Sequence, residues 1–223
     1  MSKIKRTVFV EFDFAILQGM KDFVGAANPV LAPLKVSVDE IGFARFFAGR
    51  SKVAGVTALL KHAGIKSEAA PLANEIAKKF REAIVARAAE GSEALVKLSD
   101  PLLAKGISLV LVTQADDGML REALGEAIKE EMLVVSEPPQ FADGYGWENW
   151  RRVCRRVDVH ERLSVAVVGS GTSTQGAVAA GLYAAAIADP LAINQDFTGF
   201  DYFSEKLDGD LLPELMRVLW QNG

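Results

Sequence analysis

Two carboxylates stand two residues apart at the end of an apolar run. Thr7 to Asp13 reads Thr-Val-Phe-Val-Glu-Phe-Asp, and on a strand positions i and i+2 share a side. Glu11 and Asp13 are therefore placed to converge on one ligand at a strand's carboxyl end, where open α/β sheets keep their crevices. The same pair also reads as two surface acids where a strand becomes a loop. A second candidate is Gly169-Ser-Gly-Thr-Ser-Thr-Gln-Gly176. Small hydroxyl and glycine residues between a strand and a helix can turn backbone N–H groups toward an anion. The spacing matches neither a dinucleotide fingerprint nor a Walker loop, and a permissive turn with a capping Ser or Thr is the plainer reading. Asp116 and Asp117 suit the N-terminus of a helix better than a metal. His62 and His160 lie far apart without ligand spacing, and Cys154 is the only cysteine, so neither a disulfide within the chain nor a cysteine metal cluster is available.

The elements that must position these residues are short and continuous. Val8–Val10, Ile107–Val112 and Leu163–Val168, with a weaker Met132–Val135, are apolar runs of the kind covered on both faces of a parallel sheet. Helical patterns at Leu95–Lys105, Asp117–Lys129 and Trp147–Val157 lie between them, implying right-handed crossovers and a layered α/β fold. From about residue 19 to residue 90 the strand signal disappears. Helical segments at Asp39–Phe47, Lys52–Ala63 and Ala69–Ala89 follow one another, and Gly25 to Pro33 reads as a loop. The expected division is a core of residues 1–18 and 91–223 with a helical cap, 19–90, inserted after the first strand.

The chain has 223 residues, half of them hydrophobic, and a formal charge of −4. That balance gives no reason to expect nucleic acid or an acidic membrane as partner. Ala177 to Ala188 is the longest apolar candidate and falls short of the roughly 20 residues a bilayer requires. A charged N-terminus without a signal peptide's apolar stretch points to a cytoplasmic setting.

Taken in order, these features resemble the haloacid dehalogenase superfamily, in its small-cap branch of phosphatases and phosphomutases. The resemblance rests on a first strand ending Glu-Phe-Asp and a helical insertion containing Gly49-Arg50-Ser51-Lys52. It continues with a Gly106-Ile107 turn into a strand reaching Thr113, then Val168-Gly169-Ser170 eleven residues before Gly181, then Asn194-Gln195-Asp196-Phe197-Thr198-Gly199. It covers nearly the whole chain and implies a Rossmann-like parallel sheet flanked by helices, with the cap inserted. It further implies that position 11 carries the phosphate-attacking carboxylate and Asp13 the general acid and base. Thr113 and a downstream lysine would hold the phosphate, Lys52 or Arg50 would reach in from the cap, and acids after the fourth strand would hold Mg²⁺.

Several positions depart from that pattern. Position 11 is Glu, whose extra methylene displaces the carboxylate by about 1 Å, a misplacement that can cost about 10²-fold in rate. Phe14-Ala15 replaces the usual small residues, which implies a reshaped turn. The lysine's place falls near Gly144, and the metal acids' places fall on Val168 and Gly169. Losing a phosphate-neutralising cation and the metal acids removes the electrostatic stabilisation that dominates phosphoryl transfer. Tyr145, Trp147, Trp150 and Phe141 are either core or a filling for the emptied pocket. Arg151, Arg152, Arg155 and Arg156 form either a solvated face or a docking surface. The expectation is an impaired relative in which Glu11 and Asp13 are residual, Thr113, Lys52 and Ser170 are ligand-binding candidates, and no metal or cofactor is bound. A small phosphorylated molecule or a protein is the expected partner. The alternative is an active phosphatase or phosphotransferase using Glu11, Asp13 and Mg²⁺.

Overall fold

Thr7–Glu11, β1, is buried at every position, as its apolar composition requires of a central strand. In the computed structural model, which describes residues 6–207 and 209–221, β1 pairs on one side with β2 (Ser108–Thr113) and on the other with β4 (Ser164–Val168). β3 (Leu133–Ser136) lies beyond β2, and β5 (Tyr183–Ile187) and β6 (Tyr202–Ser204) continue past β4. The six strands run parallel in the order β3-β2-β1-β4-β5-β6. The strand order changes direction at β1, so a crevice opens where β1, β2 and β4 end side by side. The charged stretch at residues 1–5 lies outside the described residues.

The four apolar runs became β1 to β4, and two strands were not legible. Ala177 to Ala188 is not one element: helix α8 (Gly171–Ala180) ends at Gly181, whose φ is +90°, and β5 begins two residues later. Ala184, Ala185 and Ala186 have little intrinsic preference for a strand, and burial between β4 and β6 decides their state. The Gly25–Pro33 loop is also corrected. Met20–Leu31 is helix α1 with Pro29 inside it, because Met20, Phe23, Ala27 and Leu31 lay one apolar face into the core.

Helices α2 (Glu40–Phe46), α3 (Lys52–His62) and α4 (Ala69–Arg87) complete a strand-free stretch between β1 and β2, with α4 packed along α1 and α3. Phe23 meets Phe43, Phe47 and Phe80 edge-on at 5.1–5.6 Å. Phe80 in turn lies 5.7 Å from Phe14, next to β1. That chain of rings carries the helical layer onto the end of the sheet. The remaining helices are α5 (Ser92–Ala104), α6 (Asp117–Leu124), α7 (Trp147–Arg156) and α9 (Leu211–Gln221). No helix of the described residues is long and apolar enough to cross a membrane.

Candidate functional site

β1 runs directly into a π-helical turn, Phe12–Ile16, closed by a bond from Leu17 N–H to the Phe12 carbonyl. Such wide turns are rare and concentrate at functional sites. Here the turn sends the two acids to different neighbours. Glu11 leans toward β4: Oε2 accepts the Gly169 N–H at 2.8 Å and Oε1 accepts the Ser173 hydroxyl at 2.6 Å. Asp13 leans toward β2, accepting the Thr113 hydroxyl at 2.6 Å and both the N–H and side-chain amide of Gln114 at 2.9 and 3.2 Å. Each carboxylate has both oxygens engaged, and both residues are inaccessible to solvent.

Burial without a cation in contact raises both groups. Desolvation lifts the Glu11 carboxyl to about 8 against the opposing bonds from Ser173 and Gly169, with the charges of Asp13 and Asp143 adding to the rise. At neutral pH Glu11 is thus mainly a neutral acid, a poor nucleophile and a poor metal ligand. Asp13 is also raised by burial, against the bonds from Thr113 and Gln114 and the attraction of Lys52. Lys52 opens α3 and is partly buried. Burial lowers its ammonium to about 8, offset by attraction from Asp13 and Asp143.

Gly144 sits directly over Glu11. A Cβ built there would lie 2.0 Å from Ser173 Oγ and 3.1 Å from Glu11 Oε1, and its φ of +149° excludes most side chains. The place assigned to the lysine is therefore filled by backbone. Gly169 is equally tight: a Cβ there would meet the Phe14 carbonyl carbon and oxygen at 2.4 Å. The residues present do not fit Mg²⁺. Glu11 and Asp13 are already saturated by donors, position 169 offers an N–H where a metal requires oxygen, and no group of three acidic, histidine or cysteine residues among those described has the arrangement to hold a metal.

The other candidates take structural places. Thr113 accepts the Ala115 N–H at 3.0 Å while donating to Asp13. Ser170 caps α8, its hydroxyl accepting the Ser173 N–H at 3.0 Å. Within the 169–176 loop, Gly171 N–H is held by Gln195 and Thr174 N–H by the Ser170 carbonyl, and α8 lies too close to the backbone of residues 145–146 and 196 for any side chain at Gly171 or Gly176. Arg50 turns away from the crevice to the carbonyls of Arg45 and Phe46 at the end of α2. Asp116 caps α6, His160 caps a short turn, and His62 lies against Phe46.

The aromatic quartet divides. Tyr145 and Trp150 are fully buried with rings 5.4 Å apart, whereas Trp147 is exposed beneath Arg151. Phe141 lies at the edge of the loop, bridged to Gly144. Neither the Tyr145 hydroxyl nor Trp150 Nε1 finds a hydrogen-bond partner among the described residues. The basic run divides too: Arg152 pairs with Glu137 at 2.7 Å and Arg156 donates to the Ser136 carbonyl at 3.0 Å.

Ser173 lies in the Gly169–Gly176 segment and Gln195 in the Asn194–Gly199 segment, but type and spacing give neither a role of its own, and buried Asp189 carries no sequence signal. Asp189 accepts the N–H of Met20 and Leu191 at 3.0 and 2.9 Å and donates its own N–H to the Gly169 carbonyl, tying α1 to the site loop.

No family model matches the chain, and no curated protein matches its sequence. Solved structures do resemble it. CbbY from Rhodobacter sphaeroides in complex with phosphate superimposes with a TM-score of 0.68 at 19% identity, covering 92% of this chain and 95% of that one. A β-phosphoglucomutase from Clostridium difficile gives 0.66 at 11%, covering 96% and 98%. A HAD hydrolase of family IA, variant 3, from Entamoeba histolytica gives 0.68 at 14%, covering 97% and 100%.

Proposed function

We propose, from a haloacid dehalogenase-like fold whose β1 crevice is filled by its own backbone and donors, that this chain does not transfer phosphate and acts by binding. One observation carries the reading: Gly144 and Gly169, the positions to which the resemblance assigns a phosphate-holding cation and a metal-holding acid, have no room for a side chain. The saturation of Glu11 by Gly169 and Ser173 supports it. A carboxyl that is neutral at pH 7 lacks the charge to attack phosphorus or to seat a divalent ion.

In this reading residues 19–90 are a cap over a core formed by residues 1–18 and 91–223, and the partner is a small phosphorylated molecule or a protein in a cytoplasmic setting. Phosphate bound to CbbY supports the former class. The competing reading, an active phosphatase or phosphotransferase using Glu11, Asp13 and Mg²⁺, draws on Lys52, a cation that Asp13 and Asp143 attract. Hydrolysis of an aryl phosphate and of small sugar phosphates with Mg²⁺ separates the two. We expect wild type and Glu11→Gln to be equally silent, with no calorimetric binding of Mg²⁺. Turnover that Glu11→Gln abolishes would establish the enzyme instead.

A further inference from the structure

Asp143 is buried completely, yet three segments distant in sequence converge on its carboxylate. Gly49 N–H, between α2 and α3, lies 3.1 Å from both oxygens. The Thr172 hydroxyl, in the first turn of α8, donates at 2.8 Å, and the Gln195 amide at 3.1 Å. Lys52 is near enough for Asp143 to oppose the lowering of its ammonium by burial. A backbone N–H, a hydroxyl and an amide N–H on one carboxylate, with the Lys52 charge in the neighbourhood, are the donor set of an oxyanion site. Gly49 has φ +67°, in the left-handed region that favours glycine. Beside it, Ala142 N–H donates to the Arg50 carbonyl at 2.8 Å, so the same place joins the helical layer to the loop beneath it.

We propose that these donors form an oxyanion cradle occupied by the chain's own Asp143, which clamps residues 49–52 onto the core without a ligand. While Asp143 is in place its carboxylate keeps a phosphate or carboxylate group from outside out of the cradle. This goes beyond the reading of the β1 crevice and stands or falls separately, since it concerns Asp143 and not Glu11.

The test is chemical rescue. Asp143→Gly removes the carboxylate and its methylene, opening the cradle to inorganic phosphate or to formate. Thermal unfolding of the variant should rise by about 4 °C at an anion concentration of about ten times Kd, against a chloride control of equal ionic strength. The wild type should not respond, and adding Lys52→Met to Asp143→Gly should raise the anion's Kd about tenfold, which cuts the shift at the same concentration to about a third. If Asp143→Gly does not fold in chloride, its refolding yield in phosphate or formate is the readout. A response as large in the wild type, or no response of the variant to either anion by stability or refolding yield, would overturn the proposal.

Discussion

Glu11→Gln tests whether the carboxyl at the end of β1 is held neutral. Burial raises it from 4.5 to about 8, so between those values the folded chain keeps a proton that the unfolded chain has released. The stability this proton contributes is complete below pH 4.5 and is lost as the pH rises through 8. The span is about 5 kcal/mol, at about 1.4 kcal/mol for each tenfold change in proton affinity. Asp13 and Asp143 are raised as well and slope the same way. Lys52 acts with the opposite sign: its folded value is lowered from 10.5 to about 8. Its contribution is present above pH 10.5 and is lost as the pH falls through 8. The Cys154 thiol, raised by burial from 9.0 to about 12, and the raised Tyr145 phenol slope as Glu11 does and oppose that gain above pH 9. The wild type should therefore lose stability from about pH 5 and stop falling near pH 8. Glutamine keeps the size of Glu11 and can accept the Gly169 N–H, while its amide would donate to Ser173 Oγ, reversing the bond in which the Ser173 hydroxyl donates to Glu11 Oε1. We expect it to match the wild type within about 1 kcal/mol near pH 5 and to exceed it by about 5 kcal/mol near pH 8. Urea unfolding across this range, with a constant m-value, measures both numbers. A wild-type profile that is level across the acid arm, or a Gln variant that falls as steeply, would refute the buried neutral carboxyl.

Four further substitutions probe the same packing. Gly169→Ala places a methyl against the Phe14 carbonyl and should cost about 3 kcal/mol or more; the related Gly169→Asp should accordingly fail to create a metal site, which Mg²⁺ calorimetry would reveal. Thr113→Val keeps the shape of the side chain but removes the donor to buried Asp13, for a loss of about 1–3 kcal/mol in urea unfolding; an unchanged midpoint would mean that bond is immaterial. Tyr145→Phe deletes a buried hydroxyl without a partner among the described residues and should be neutral or stabilising by up to about 1 kcal/mol. A loss above that in the same assay would show the hydroxyl to be bonded.

The sequence by itself determined the layered α/β scaffold, because β1 to β4 are uninterrupted apolar runs and the stretch before residue 90 has helical periodicity. It also located Glu11 and Asp13 at the end of β1, since that is a matter of residue type and order. Tertiary structure decided the rest. Ala184 to Ala186 form β5 only because neighbouring strands bury them, and Pro29 stays inside α1 because the helix face beneath it is covered. In the site, the sequence placed Glu11 and Asp13 on one side of a strand, but the π-helical turn after Glu11 hands them to β4 and β2 separately. By residue type and spacing Asp143 is one more acid in a loop. Its capture by Gly49, Thr172 and Gln195 depends on segments 94, 29 and 52 residues away. Spacing along the chain carries no information about such contacts, because hydrogen-bond donors are ordered by where the fold brings them.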